Sequence, residues 1–394
     1  MGARVDADRI AAIETFVVTL PRDEPYLGAL RAGETPNARG YFVRRGNRTV
    51  YPVFDRTVLV KATCASGAVG WGETYGIVAP GAVVAIVEDL LAPFCVGRDP
   101  RDAESIHDDL YDLMRVRGHA GGYYGDALAG VDIAIWDLAA RLAGKPLVEL
   151  LGGKRRERIR AYVSGLPKAT LPARVDFAAA WVAKGFDAVK FAAVVADDGE
   201  FAEMAALREA LGPGIAIMAD LHWRYDASTA IETIRRLDEH DLRFAEAPCA
   251  PEDIEGLARV AANVRPPVAA GEEWRTVHEA RWRFERKALG IVQPEMGHTG
   301  VTEFLRIARL AHANGAPTIP HATIGVGVFQ AASLHAAAAL PDVPYHEYQH
   351  SVFDRMARYV RGDMACRDGW FHLPSGPGLG VEPAPELLKL AEKR

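Results

Sequence analysis

Between residues 159 and 348, short apolar runs that suit buried parallel strands alternate with helical patterns, and nearly every run ends in a charged or titratable side chain. The runs lie at 159–164, 188–192, 215–220, 242–246, 268–271, 290–293, 318–321 and 345–348. At or near their ends stand Lys190, Asp220, Glu246, Glu272, Glu295, His321 and Glu347, spaced by 30, 26, 26, 23, 26 and 26 residues. Each interval holds one strand and one helix. Eight strands with seven intervening helices match a closed (β/α) barrel better than an open sheet. In such a barrel the C-terminal strand ends converge on one mouth, so these distant residues are expected to meet in a single polar pocket.

Asp220, Glu246 and Glu272 come from three successive strands. Taken singly, each is most simply a cap for the following helix. Three carboxylates in register repel one another, and a hard divalent cation removes that cost; oxygen-only ligation suits Mg²⁺ better than Zn²⁺. His321 follows Ile319-Pro320, and Glu295, one strand earlier, can hold one ring nitrogen and raise the basicity of the other. Lys190 interrupts the apolar run Ala188-Val189-Lys190-Phe191-Ala192, which sets it apart from a solvated surface lysine.

The rest of the chain reads differently. At 394 residues it exceeds one ordinary core, so about two domains are expected. Residues 10–65 are rich in β-branched positions, with a long polar loop at 21–51, and residues 80–145 turn helical at 83–91, 104–115 and 125–143. That order suggests an α+β domain over 1–155, followed by the barrel over 156–366. The Pro- and Gly-rich stretch 367–394 is expected to leave the barrel and return to the first domain. A net charge of −6 argues against a nucleic-acid or anionic-membrane surface. No apolar run reaches the roughly 18 residues of a membrane span. The first ten residues lack the apolar core of a signal peptide, and four scattered cysteines without a C-x-x-C pair fit a reducing, cytoplasmic setting.

Several motifs resemble those of the enolase superfamily, specifically its mandelate racemase subgroup, over nearly the whole chain. They are Gly185-Phe186-Asp187-Ala188-Val189-Lys190, Ala219-Asp220-Leu221-His222, Phe244-Ala245-Glu246-Ala247-Pro248, Ala270-Gly271-Glu272-Glu273, Gln293-Pro294-Glu295 with Pro320-His321, and His346-Glu347-Tyr348. The resemblance implies a modified TIM barrel, (β/α)₇β, under an α+β capping domain that the C-terminal segment completes. It implies Mg²⁺ on Asp220, Glu246 and Glu272, a small-molecule carboxylate substrate and a symmetric homo-oligomer. A proton α to a carboxylate is weakly acidic because the carbanion adds charge to an anion. The metal and Lys190 would lower that barrier, and a neutral Glu347 would donate a hydrogen bond to the enediolate; that superfamily's use of a Lys or His base beside Mg²⁺ is general knowledge of such sites.

Two residues depart from the subgroup's pattern. Ala192 replaces a second lysine that often acts as a base, which argues against a two-base racemase. Glu295 replaces the usual aspartate of the Asp–His dyad, one methylene longer. Asp220-x-His222 resembles the acid-sugar dehydratases, in which such a histidine protonates a departing hydroxyl. The leading expectation is therefore a hydro-lyase acting on an aldonate or aldarate, with His321 as base and His222, or His321 again, as acid. A racemase or epimerase of a 2-hydroxy acid, and a non-catalytic acid-binding barrel, stand as alternatives. The loop 21–51 and residues 72–76 are expected to select the substrate, with Tyr26, Arg44, Arg45 and Arg48 as groups for distal hydroxyls or a second carboxylate. His298 is assigned no role.

Overall fold

The computed structural model describes residues 8–118, 121–322 and 325–393. The reading of the extreme N-terminus concerns residues mostly outside that set. Ile10–Pro21 runs antiparallel to Phe54–Cys64, which pairs in turn with Val69–Tyr75. Helix Gly122–Leu142 lies across this sheet, buried at every position from Tyr124 to Ala140. It packs closely because Gly70 and Gly72 carry no side chain; a Cβ there would sit 2.3 Å from the Ala134 carbonyl oxygen and 2.0 Å from that of Gly130. Its other side meets the barrel, where Asp132 accepts from the Thr302 hydroxyl at 2.7 Å and the Trp136 indole N–H donates to the same hydroxyl at 3.0 Å. Burial on two sides explains why its sequence is apolar nearly all round.

The barrel strands are Arg158–Ser164, Ala188–Ala192, Ala216–Asp220, Leu242–Glu246, Val268–Ala270 and Ile291–Val292, each parallel to the next. His346–Tyr348 returns to pair in parallel with Arg158–Ser164. The seventh position, read as a strand over 318–321, forms only isolated bridges, Val292 to Thr318 and Glu295 to His321. Pro317 and Pro320 explain this, since neither has an N–H to contribute to a ladder. The ring still closes there, because the Ile319 N–H donates to Val292 and the Glu347 N–H to Pro320. Among the described residues seven helices link the strands, from Leu171–Val182 to Val328–Ala339. Tyr162, Met218, Phe244 and Ile319 fill the barrel interior, below the polar mouth.

Two further details differ from the sequence reading. The loop 21–51 is not structureless, for Tyr41–Arg44 and Thr49–Pro52 form a hairpin. Both arms are short and β-prone, and the Arg48 N–H closes the turn on the Arg44 carbonyl at 2.8 Å. The C-terminal stretch also stays with the barrel longer than expected: Trp370–His372 pairs antiparallel with the start of the first barrel strand. It then crosses to the capping side, where the Leu379 N–H donates to Asp137 at 2.7 Å and Glu392–Lys393 edges the sheet beside Phe16 and Val17. No single helix among the described residues is long and apolar enough to cross a membrane.

Candidate active site

The strand ends do converge. Lys190, Glu246, Glu295, His321 and Glu347 are all buried to 6% exposure or less, and Asp220 is 7% exposed. The Lys190 ammonium lies 2.6 Å from Glu246 Oε2 and 3.3 Å from Glu347 Oε1. The Tyr162 ring sits beneath it, centroid 5.4 Å from Nζ. Lys190 is held charged, well above its usual pKa: burial opposes the charge, but Glu246 and Glu347 outweigh it.

His321 is gripped on both sides. Nδ1 lies 2.8 Å from Glu295 Oε2 and Nε2 lies 2.5 Å from Glu272 Oε2. The longer Glu295 side chain therefore still reaches the imidazole that the sequence assigned to it. Burial would lower the His321 pKa, but Glu272, Glu347 and the two hydrogen bonds carry it well upward. Glu272 answers in the opposite sense: burial would raise it, and the His321 charge and hydrogen bond, with Lys190, hold it down at about 2. Glu347 does not meet the expectation of a neutral acid. Burial favours that form, but His321, Lys190 and a Ser164 hydrogen bond outweigh it, and the carboxyl is shifted down. Its Oε2 accepts from the Ala322 N–H at 3.2 Å.

Asp220 and Glu246 are neighbours in register on adjacent strands. Both are pushed up, by burial first and then by the other carboxylates, against the pull of Lys190. The His222 N–H donates to Asp220 Oδ1 at 3.0 Å, and His222 Nδ1 lies 3.1 Å from the same oxygen. His222 and Trp223 both have left-handed backbones, φ 50° and 53°, a costly pairing for such residues that turns them into the mouth.

Five carboxylates thus face two cationic side chains, Lys190 and His321. Glu246 Oε1 is buried with no hydrogen-bond partner. Ligand atoms of Glu246, Glu272 and His321 lie within 4.8 Å of one another. Surplus negative charge, an orphaned carboxylate oxygen and an oxygen-rich donor set fit a hard divalent cation. Among the described residues that grouping of ligand atoms includes His321 and not Asp220, whose Oδ1 accepts from the His222 N–H.

Above these groups lies a cavity of about 240 Å³, roofed by Tyr26, Leu27, Tyr51 and Tyr75 of the capping domain. Tyr26 does face it, held by the Gln349 amide at 3.0 Å. Arg44, Arg45 and Arg48 do not line it. Arg44 is fully buried within the loop, 2.8 Å from Glu34 and donating to the carbonyls of Tyr26, Gly28 and Ala29. Its role is to shape the roof, not to meet a ligand. Gly72 is likewise spent on helix packing.

Sequence reasoning missed Gln293, whose amide donates to Glu246 Oε2 at 2.8 Å, and the pair His298–Asp126, 2.6 Å apart at the cavity wall. Gln293 sits where the strand pattern ends, so its position was a signal. Asp126 belongs to a distant helix, and only the tertiary structure brings it there.

Comparison with known proteins agrees with this geometry. Residues 52–152 match the mandelate racemase/muconate lactonizing enzyme N-terminal domain, and residues 173–387 match the enolase C-terminal domain-like family. The chain is 34% identical over 344 residues to a D-galactarolactone cycloisomerase of Agrobacterium fabrum, covering 84% of this chain and 90% of that one. It is 33% identical over 352 residues to a D-galactonate dehydratase of Ralstonia nicotianae, covering 85% and 90% respectively. A crystal structure of an enolase-superfamily member from Agrobacterium tumefaciens superposes with TM-score 0.96 at 55% identity, over 98% of this chain and all of that one (100%).

Proposed function

Because this chain belongs to the mandelate racemase/muconate lactonizing enzyme family of the enolase superfamily, we propose that it is a Mg²⁺-dependent dehydratase of acid sugars. It removes the proton α to a carboxylate and expels the β-hydroxyl, and the enol that results tautomerises to a 2-keto-3-deoxy acid. The observation that carries the reading is the imidazole of His321, held by Glu295 at 2.8 Å, among the carboxylates and Lys190 of one closed mouth.

Asp220, Glu246 and Glu272 are the residues assigned to hold the cation, which supplies charge neutralisation and polarises a substrate carboxylate. The chain's own groups do the rest. His321 takes the α-proton on Nε2 from its neutral form, with Glu272, now 2.5 Å from that nitrogen, given over to the cation and Nδ1 kept by Glu295. Lys190 stabilises negative charge as it develops on the substrate carboxylate, and it does so from a buried, fixed position. Glu347 anchors Lys190 and the backbone after His321. His222, at the cavity mouth beside Asp220, gives a proton to the departing oxygen. Ala192, where a second base is usual in the subgroup, lines the cavity without a titratable group, which disfavours racemisation.

The similarity to a cycloisomerase favours one second reading, in which the departing oxygen belongs to a ring and stays tethered. Both readings share the α-proton step. The test is incubation with Mg²⁺ and a panel of aldonates, aldarates and their lactones, followed by mass analysis and a 2-keto-acid assay. A product lighter by one water supports dehydration, and an isomer of equal mass supports the second reading. Folded, metal-loaded protein that turns over no member of a broad panel refutes both.

A further inference from the structure

On the wall of the cavity, where the sixth barrel strand ends, stands an imidazole with no part in the reaction so far. His298 projects from the first turn after Glu295 and faces the cavity, with its side chain 12% exposed. The sixth strand is diametrically opposite the second, which carries Lys190, in an eight-membered ring. Lys190 and His298 line one cavity, so a substrate whose carboxylate end lies beside Lys190 can extend its other end across it towards His298.

The residue is built into place from both domains. Its Nδ1 meets Asp126 Oδ1 at 2.6 Å, and Asp126 is itself only 5% exposed. The Tyr75 ring stacks on the imidazole, centroids 3.8 Å apart, and Tyr75 donates through its hydroxyl to Glu295 Oε2 at 3.3 Å. Arg275 backs Asp126, with Nε 3.0 Å from Oδ1 and Nη2 3.4 Å from Oδ2. Gly125 makes room for that arginine; a Cβ there would lie 2.3 Å from Arg275 Cγ. A surface histidine needs none of this support.

We propose that His298 is the specificity-determining residue of this site, reading a hydroxyl at the distal end of the substrate through Nε2. The inference rests on the acid-sugar reading and deepens it: the preferred substrate ends in a neutral hydroxylated carbon and not in a second carboxylate. The Asp126 carboxylate can only accept, so Nδ1 carries the ring proton, and in the neutral ring Nε2 is an acceptor. Burial and Arg275 shift His298 downward against the pull of Asp126, which keeps the ring neutral. An acceptor welcomes an O–H and repels a carboxylate. The arginine nearest to it, Arg275, has its charge matched by the Asp126 carboxylate, which takes Nε and Nη2, and its Nη1 donates to the Glu273 carbonyl, so it offers a diacid little uncompensated charge. The arginines of the roof loop do not line the cavity.

His298→Asn separates reading from support, since its amide nitrogen falls near the place of Nδ1 and can keep the Asp126 contact while Nε2 is lost. His298→Gln places an amide near Nε2 instead. The measurement is kcat/KM for three substrates matched in stereochemistry: a hydroxyl-ended acid sugar, its distal deoxy analogue and the diacid. The wild type is expected to favour the hydroxyl-ended acid by on the order of ten- to a hundred-fold over both others. In H298N the ratio of hydroxyl-ended to deoxy substrate should collapse towards one, and in H298Q it should partly return. A wild type that processes the diacid equally well overturns the proposal, as does an H298N variant that slows both substrates by the same factor, the signature of a packing role. A wild type inert to every acid sugar overturns the parent reading along with this one, so the two failures are distinguishable.

Discussion

Glu73 is the joint between the capping sheet and the barrel, and replacing it by glutamine tests how much that joint contributes. The side chain is fully buried. It accepts from the backbone N–H groups of Val326, Gly327, Val328 and Phe329, at 2.5, 3.3, 2.9 and 3.1 Å, and from the Thr57 hydroxyl at 2.9 Å. These N–H groups are the open donors at the start of helix Val328–Ala339, so one carboxylate closes a helix end that belongs to another domain. A glutamine keeps one acceptor oxygen and turns the other atom into a donor aimed at donors. About two backbone N–H groups then lose their partner, at ~1–3 kcal/mol each. The loss is trimmed because burial already pushes the Glu73 pKa up, and a neutral amide escapes that penalty. A net destabilisation of about 2–4 kcal/mol follows. With an unfolding entropy of roughly 2.1 cal/mol/K per residue, a chain of this length should melt roughly 2–5 °C lower. Scanning calorimetry or far-ultraviolet circular dichroism at fixed metal concentration measures it. If cap and barrel unfold separately, the shift should appear in the earlier transition. A melting point unchanged to within about 1 °C would refute the view that these donors depend on the carboxylate.

Three further outcomes are expected. His321→Asn should abolish solvent-deuterium incorporation at the α carbon and cut turnover by about 10²–10⁴-fold, while the far-ultraviolet spectrum is kept; exchange at the wild-type rate would remove His321 as the base. Chelation should abolish turnover and lower the melting point, with recovery on adding Mg²⁺, since an ion at about 100 times its Kd stabilises the native state by about 2.7 kcal/mol; a melting point indifferent to both treatments contradicts a resident cation. His335, buried where its Nε2 meets the Leu379 carbonyl at 3.1 Å, has its pKa pushed down to about 4 by burial, against 6.5 for the free side chain. The unfolded chain therefore takes up the proton first, and the stabilisation, fully present above pH 6.5, should be lost as pH falls towards 4, by on the order of 3 kcal/mol. His335→Gln should flatten that part of a stability–pH profile, and an identical slope in wild type and variant would exclude this residue as its source.

Much of the chemistry could be read from the chain alone because a β/α barrel converts sequence spacing into position. One polar side chain per strand and helix, repeated from Lys190 to Glu347, is enough to say that they share a mouth, whatever their separation. Helix Gly122–Leu142 was legible for a similar reason, as an apolar pattern too long for a strand. Other features had no local signature. The hairpin 41–52 looked like a polar loop because its arms are four residues each, and the arginines within it looked available until Arg44 proved to be closed upon Glu34.

The order of the strand-end residues, and hence the barrel and its acidic mouth, was determined by the sequence itself, since periodicity is a local property of the chain. The charge on Glu347, the clasp of Glu73 on a helix of the other domain and the pairing of Asp126 with His298 were decided only by tertiary structure. A carboxyl's ionisation is set by burial and by the summed field of neighbours such as Lys190 and His321, and contacts across the cap–barrel boundary join residues as far apart as Glu73 and Phe329, 256 positions, or Tyr26 and Gln349, 323. Neither leaves a periodic trace, so neither can be read along the chain.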